Sequence, residues 1–168
     1  MPLSVVVKLE ALEDGELDMF TGRGVHGLWF ETWRTADPAL GDRLHQDGQE
    51  MPFTLSPLMG LPEGRQGAAR VKAGAPAWFR VTALSEELEE AVRGRWLPAL
   101  QAGGEVFIPA GQEAQGQRFG ALRWKVTGHV MRAGGWDGLA AEEDCLAMAR
   151  RTLMAAVPPR QWRLEFLT

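Results

Sequence analysis

Residues 77–104 read AWFRVTALSEELEEAVRGRWLPALQAGG and predict one strand followed directly by one helix. The strand is expected over residues 77–84. Ser85 can cap the helix behind it, and two glutamates stand in the first turn, where the helix dipole favours negative charge. The helix should continue to the glycines at 103–104, with a kink in its last turn at Pro98.

The segments before this unit predict a strand and two helices. Residues 3–11 alternate strictly between two faces, which is the period of a half-buried strand. Residues 24–36 place apolar side chains three and four positions apart, as on one stripe of a helix. Asp37 can cap a second, shorter helix that begins at Pro38 and is expected to end at about Gln46.

Four further segments predict strands. A short strand is expected within residues 52–58, which prolines interrupt, followed by a mobile loop at 63–67 and a strand at 68–72. Two more strands are expected at 105–110 and 119–131. The last strand is predicted to place Leu122, Trp124, Val126 and Val130 on one face and Arg123, Lys125, Thr127 and His129 on the other.

The order of these elements predicts the fold class. Strand, helix, strand, strand, helix, strand, with an extra hairpin strand, is the split βαβ pattern of an α+β, ferredoxin-like (βαββαβ) domain, expected over residues 1–132. Residues 133–168 then predict a connector helix at 139–156 and a strand from 161. That strand has no partner after it, which indicates a fragment ending as a second, truncated domain of the same kind begins.

Composition restricts the setting in which this chain works. The 168 residues contain no run of about 18 apolar residues, and the first five lack the pattern of a signal peptide, so neither a membrane partner nor export is expected. The single cysteine, Cys145, allows neither an intramolecular disulfide nor a thiolate zinc cage and predicts a cytoplasmic location. A net charge of −4 requires that nucleic-acid binding come from a local patch or from a segment outside this chain.

One glycine pattern imitates a nucleotide-binding fingerprint. Residues 22–27 read GRGVHG, but about ten residues, several of them acidic, separate this stretch from the first strand. We interpret the glycines as a turn with permissive backbone angles that leads into the first helix.

The three histidines are candidates for acid or base chemistry. Their spacing matches no metal-binding pair, so no metal site is expected, whereas one or two imidazoles suffice for proton transfer near neutral pH. His26 and His45 can approach each other if the first two helices fold back on one another. His129, Arg123 and Lys125 on a strand face could meet phosphate oxygens, although a solvated sheet face explains them equally well. Four tryptophans fall on apolar faces and are expected in the core, namely Trp29, Trp33, Trp96 and Trp124.

Six stretches of the chain together resemble a known family. They are VHGLWF at 25–30, ADPAL at 36–40, LH at 44–45, PFTLSPL at 52–58, WFRVTAL at 78–84 and WRLEFLT at 162–168. In order and spacing they are similar to the amino-terminal half of the CRISPR-associated endoribonucleases that process precursor CRISPR RNA, members of the RAMP superfamily.

This resemblance implies a metal-independent cleavage within each CRISPR repeat that needs no cofactor. A ribose 2′-hydroxyl attacks the adjacent phosphate and leaves a cyclic phosphate and a free 5′-hydroxyl. His45 matches the family's histidine after the first helical segment, and His26 matches a second histidine that some members carry. Some members of the family use a Tyr, a His and a Lys, with the Tyr at about the position of Phe30 and the Lys near that of Met51. This sequence has neither side chain there, so the resemblance favours an arrangement of two histidines.

The partners implied by the resemblance are CRISPR repeat RNA, subunits of a CRISPR effector complex and a second copy of the chain. Lys125, Arg123 and Arg43 are weaker candidates for RNA phosphate contacts, and the family's glycine-rich RNA-binding loop belongs to the second domain. Two rival functions remain open: a non-catalytic RNA-binding or scaffold subunit of an effector complex, and an unrelated ferredoxin-like domain acting only in protein association.

Overall fold

The computed structural model describes residues 3–18, 20–46, 51–62, 68–109 and 121–131. Its strands are β1 (Leu3–Ala11), β2 (Gly15–Asp18), β3 (Phe53–Leu55), β4 (Ala68–Val71), β5 (Pro76–Ala83), β6 (Glu105–Ile108) and β7 (Leu122–Val130). Its helices are α1 (Gly22–Ala36), α2 (Pro38–Leu44), α3 (Glu86–Ala91) and α4 (Leu97–Gly103), with a π-helical segment at Val92–Trp96. The predicted loop at 63–67, connector helix, last strand and Cys145 lie outside the described residues.

The main sheet has five strands in the order β3-β5-β1-β7-β6. Every neighbouring pair is antiparallel. Strands β1 and β3 are both antiparallel to β5, so they are parallel to each other with β5 inserted between them, which is the split βαβ arrangement. With β7 on the other side of β1, the order is that of a ferredoxin-like domain, and β6 extends it. The predicted α+β fold is confirmed.

The core lies between the helices and one face of the sheet. On β1 it takes the alternate residues predicted from the sequence, which are Leu3, Val5, Val7, Leu9 and Ala11. The four tryptophans expected in the core are fully buried there. The indole N–H of Trp96 donates to Thr32 Oγ1 over 2.8 Å, which ties the π-helical segment to α1. Within the described ranges, no helix is both long and apolar enough to cross a membrane.

The helical unit behind β5 follows the sequence prediction in its start and its irregularity. The Ser85 hydroxyl accepts the Leu88 backbone N–H at 3.3 Å. The helix irregularity expected at Pro98 is a π-helical turn just before that proline. There the Leu97 N–H donates to the Val92 carbonyl, five residues earlier in the chain. Proline has no N–H for the carbonyl of Gly94 and its ring presses on that carbonyl, so a wider π-helical turn relieves the contact.

A two-stranded ribbon lies beside the main sheet and was only half predicted. Strand β4 pairs antiparallel with β2, a segment whose four residues are too few to show a period. Lys72 Nζ lies 2.6 Å from Asp14 Oδ2 at one end of this ribbon. Hydrogen bonds from Lys72 and then from the Ala73 N–H lower the pKa of Asp14.

The glycines at 22–27 are helical, so their interpretation as a turn is wrong. Gly22, Gly24 and Gly27 all lie within α1. At Gly24 the helix approaches the end of β6 so closely that a Cβ would stand 2.7 Å from the Pro109 carbonyl oxygen. The glycine there permits close packing rather than an unusual backbone angle.

A bulge in β7 overturns the predicted division of its two faces. Lys8 pairs with Gly128 and Leu9 pairs with Val126, so Thr127 is left without an opposite residue. Gly128 adopts φ 149°, which suits glycine. The extra residue inverts the alternation for the rest of the strand.

The prediction that His129 shares a face with Arg123 and Lys125 is therefore wrong. His129 lies opposite Val7, a core residue of β1, and Val130 lies opposite Val6. The imidazole Nδ1 of His129 is 3.0 Å from Gln101 Nε2 on α4. His129 thus faces the helices, and it does not share the face of Arg123 and Lys125.

Candidate functional site

Two histidines meet at the aromatic ring of Phe30. His26 and Phe30 are one turn apart on α1, and their ring centroids lie 4.7 Å apart at 71°. His45, the residue that ends α2, has its ring centroid 4.6 Å from that of Phe30. Each imidazole centroid thus lies within 4.7 Å of the centroid of the Phe30 ring. The distance between the two imidazole centroids is therefore at most twice that value. The predicted approach of His26 and His45 is confirmed.

A sharp reversal between α1 and α2 brings His45 back to the first helix. Asp37 adopts an extended conformation and its Oδ1 accepts the Leu40 N–H at 3.1 Å. Asp37 Oδ2 also accepts a hydrogen bond from the Arg95 guanidinium, and this ion pair ties the reversal to the π-helical segment. The helices can pack closely because Gly41 lies against Trp33, where a Cβ would stand 3.2 Å from the Trp33 Cβ.

The surroundings of His26 favour its neutral form. Its ring lies against Phe30 and 6.4 Å, centroid to centroid, from Phe53 of β3. Burial is the larger cause that lowers the pKa of His26, and repulsion from a charged His45 is the second. A neutral imidazole can accept a proton, so His26 is suited to act as a base near neutral pH.

An open cleft of about 250 Å³ adjoins His45 and is called the α2–α3 cleft below. Its lining comprises Leu40, Arg43, Leu44, Gln46, Met51, Pro52 and Glu87. Leu44 and Gln46 are the chain neighbours of His45, so the cleft lies close to the carboxyl-terminal end of α2. Glu87 comes from the first turn of α3 and closes the far side.

The cation that lines this cleft, Arg43, is paired with a carboxylate. Arg43 Nη2 lies 2.5 Å from Glu87 Oε1, and the two side chains are 59% and 67% exposed. Ion pairs this exposed contribute only about 0.2–1 kcal/mol. A ligand that satisfies both groups can therefore replace the pair at little cost.

The other two cations predicted to bind RNA lie on the far face of the sheet. Arg123 Nε is 3.5 Å from Glu13 Oε2, and Lys125 stands in register between Glu10 and Glu105. Both flank the buried Trp124 and point away from the helices. The structure thus places Arg43 at the α2–α3 cleft, on the same helix that His45 ends, whereas Arg123 and Lys125 lie on the opposite face of the sheet.

Sequence reasoning overlooked Phe30 as the contact between the two histidines and Glu87 as the partner of Arg43. The spacing of His26 and Phe30 signals their contact, whereas nothing local places Glu87 opposite Arg43, 44 positions away in the chain. In the part of the chain that the structure describes, no three His, Cys, Asp or Glu side chains are grouped so that they could hold a metal ion.

The strand order and the helical layer define a ferredoxin-like domain. Residues 1–103 match the family described as the CRISPR Cas6 N-terminal domain, and this chain belongs to that family. No curated protein sequence matches the chain significantly.

Solved structures share the fold at low sequence identity. A Cas6 protein in a product complex is 24% identical, with a TM-score of 0.54 over 86% of this chain and 45% of its own. A RAMP protein described as binding different RNA substrates is 14% identical, with a TM-score of 0.54 over 77% and 49%. A CRISPR-associated Cas6 protein is also 14% identical, with a TM-score of 0.50 over 77% and 48%. The present chain spans about half the length of each.

Proposed function

We propose that this chain is the amino-terminal half of an endoribonuclease that cleaves precursor CRISPR RNA within its repeats. The observation that carries the proposal is the contact of His26 and His45 with one phenyl ring, in a chain of the Cas6 amino-terminal family. Two imidazoles that both contact the Phe30 ring are close enough to flank one phosphodiester with modest closure on RNA. The similar Cas6 and RAMP structures with RNA products or substrates support this assignment.

In the proposed reaction the RNA supplies its own nucleophile. His26 takes the proton from a ribose 2′-hydroxyl, whose oxygen forms a bond to the adjacent phosphorus. The bond from phosphorus to the 5′ oxygen breaks, and protonated His45 donates a proton to that leaving oxygen. The products are a 2′,3′-cyclic phosphate and a 5′-hydroxyl, with no metal ion in any step. The lowered pKa of His26 favours this division of roles.

The proposal includes a second half of the protein. The chain covers only 45–49% of the similar structures, so we assign residues 133–168 to a connector and to the first strand of a second RAMP domain. That domain would supply most of the contacts to repeat RNA, and this chain alone would be inactive. Cytoplasmic effector-complex subunits and a second copy of the chain are further proposed partners.

The test uses the complete protein, in which this chain is joined to its carboxyl-terminal half. His45→Ala should lower the single-turnover cleavage rate of repeat RNA by roughly 100-fold or more, because it removes a positioned acid or base. His26→Ala should also lower the rate while leaving the Kd for RNA largely unchanged. His129→Ala is the matched control, since that imidazole contacts Gln101 instead of Phe30. A chelator should leave the rate unchanged.

The contrary outcomes separate the rival functions. Cleavage at the wild-type rate by the His26→Ala, His45→Ala double variant would show that neither histidine is catalytic. RNA binding without any cleavage by the wild-type protein would favour a non-catalytic RNA-binding subunit, and absence of both would favour a protein-association domain. Loss of activity on chelation would overturn the proposed metal-free chemistry.

A further inference from the structure

We propose that the α2–α3 cleft binds one unpaired nucleobase that carries an exocyclic amino group, from a nucleotide adjoining the cleaved phosphate. The inference rests on the proposed function and adds to it a subsite and a specificity-determining residue, Glu87. Four observations support it: the lining of the cleft, its size, the charges at its rim and its position beside His45.

The lining of the cleft suits the flat faces of a base. Leu40, Leu44, Met51 and Pro52 supply hydrocarbon, and the Arg43 guanidinium is a planar group at the rim. Proteins that read single-stranded RNA commonly insert unstacked bases against apolar, aromatic or guanidinium surfaces. A phosphate alone would gain nothing from the four apolar side chains.

The size of the cleft restricts the ligand to a single ring system. Pockets that enclose drug-sized molecules occupy about 300–1,000 Å³, whereas this cleft measures about 250 Å³. One base fits that volume, with its ribose and phosphates left outside. A dinucleotide or a folded peptide does not.

The rim distinguishes among the four bases. Glu87 only accepts hydrogen bonds and Arg43 only donates them. Guanine, adenine and cytosine each offer an amino group for the carboxylate and a ring nitrogen or carbonyl acceptor for the guanidinium. Uracil offers the carboxylate only its N3–H, which lies between two carbonyl oxygens that repel the carboxylate, so uracil should bind less well than a base with an amino group. Because the Arg43–Glu87 pair is exposed, an amino-bearing base can take its place.

The position of the cleft indicates which nucleotide supplies the base. Leu44 and Gln46, on either side of His45, both line the cleft. A base held there leaves its ribose and phosphates outside the cleft, at the end of α2 where His45 stands. The occupant is therefore a nucleotide next to the cleaved bond.

The experiment measures RNA binding and cleavage by the complete protein with base-substituted repeat RNAs. Each of the two nucleotides flanking the cleaved bond is replaced in turn by an abasic ribose or by uridine. Binding is measured on RNA made uncleavable by one 2′-deoxy substitution, and single-turnover rates are measured on the corresponding RNA that keeps the 2′-hydroxyl. At one of the two positions, loss of the amino-bearing base should weaken binding or slow cleavage by about tenfold.

Glu87→Gln should reduce the preference for an amino-bearing base over uracil at that position, because its amide can also donate to a carbonyl. Glu86→Gln is the matched control, since it removes the same charge from the same helical turn but does not line the cleft. Retention of the full preference by Glu87→Gln, or no effect of an abasic ribose at either position, would overturn the inference while histidine-dependent cleavage persists. Loss of histidine dependence with the base preference intact would overturn the proposed chemistry instead.

Discussion

Phe30 determines the character of the histidine pair at the scale of single residues. Its ring contacts both imidazoles and covers part of His26. A phenyl ring has no hydroxyl to take part in proton transfer. Any acid and base chemistry at this position therefore depends on the two imidazoles.

The pKa of His26 should respond to its neighbour. Replacing His45 by Gln removes the second cause of the lowered pKa, so the pKa of His26 should rise toward its ordinary value of about 6.5 while burial keeps it below. An NMR titration of the His26 ring proton measures the change. His129→Gln is the control and should leave the titration of His26 unmoved. An unchanged pKa in His45→Gln would show that the two rings do not interact.

The same shift predicts how stability depends on pH. Because the pKa of His26 is lower in the folded chain than in the unfolded chain, the unfolded state binds more protons between the two values. The free energy of unfolding should therefore fall as the pH is lowered from above 6.5 through the folded pKa of His26. Urea unfolding across this range should show less loss in His26→Asn than in wild type. An equal loss in both proteins would contradict the assignment.

At the scale of elements, α1 owes its position to one glycine. The helix passes close to the end of β6 at Gly24, two residues before His26. Gly24 meets the Pro109 carbonyl at this crossing, whereas Gly27 has open space around it. A side chain is therefore excluded by packing at Gly24 but has room at Gly27.

Alanine substitutions should separate these two roles. Gly24→Ala places a methyl group 2.7 Å from a backbone oxygen and should lower the free energy of unfolding by about 1–3 kcal/mol. Gly27→Ala should raise it by up to about 1 kcal/mol because alanine is the better helix former. Thermal melts should show a lower Tm for the first variant and a Tm about 2–4 °C higher for the second. Equal shifts of the same sign would show that the crossing is not close.

At the scale of the whole molecule, many of the cations in the described residues are already paired with carboxylates. Ion pairs join Arg34 to Glu31, Arg43 to Glu87, Arg70 to Glu16, Lys72 to Asp14, Arg93 to Glu89, Arg95 to Asp37 and Arg123 to Glu13. With a net charge of −4, the chain has no strong attractive field for a polyanion.

The 168-residue chain should therefore bind repeat RNA weakly by itself. We expect a Kd no tighter than about 10⁻⁶ M at physiological salt, and a shallow slope of log Kd against log salt, because few phosphates are neutralised. The complete protein should bind at least about 100-fold more tightly with a steeper slope. Filter binding at several salt concentrations measures both. Equal affinities would contradict the assignment of RNA anchoring to the second half.

The sequence by itself determined the fold class, and it predicted that His26 and His45 approach each other on the condition that the first two helices fold back. Local signals carried these results: strict alternation on β1 and the caps at Asp37 and Ser85. Each depends on residues a few positions apart, whose preferences act before any long-range contact forms. The order of such elements was sufficient to predict the split βαβ arrangement.

Only the tertiary structure decided the features that join distant segments. The bulge at Thr127 appears when β7 pairs with β1, and it moves His129 to the helical face. The close crossing at Gly24 depends on where β6 ends, and the α2–α3 cleft depends on α3 standing opposite α2. The physical reason is that pairing register and packing distance are set by both partners, so neither segment alone contains the information.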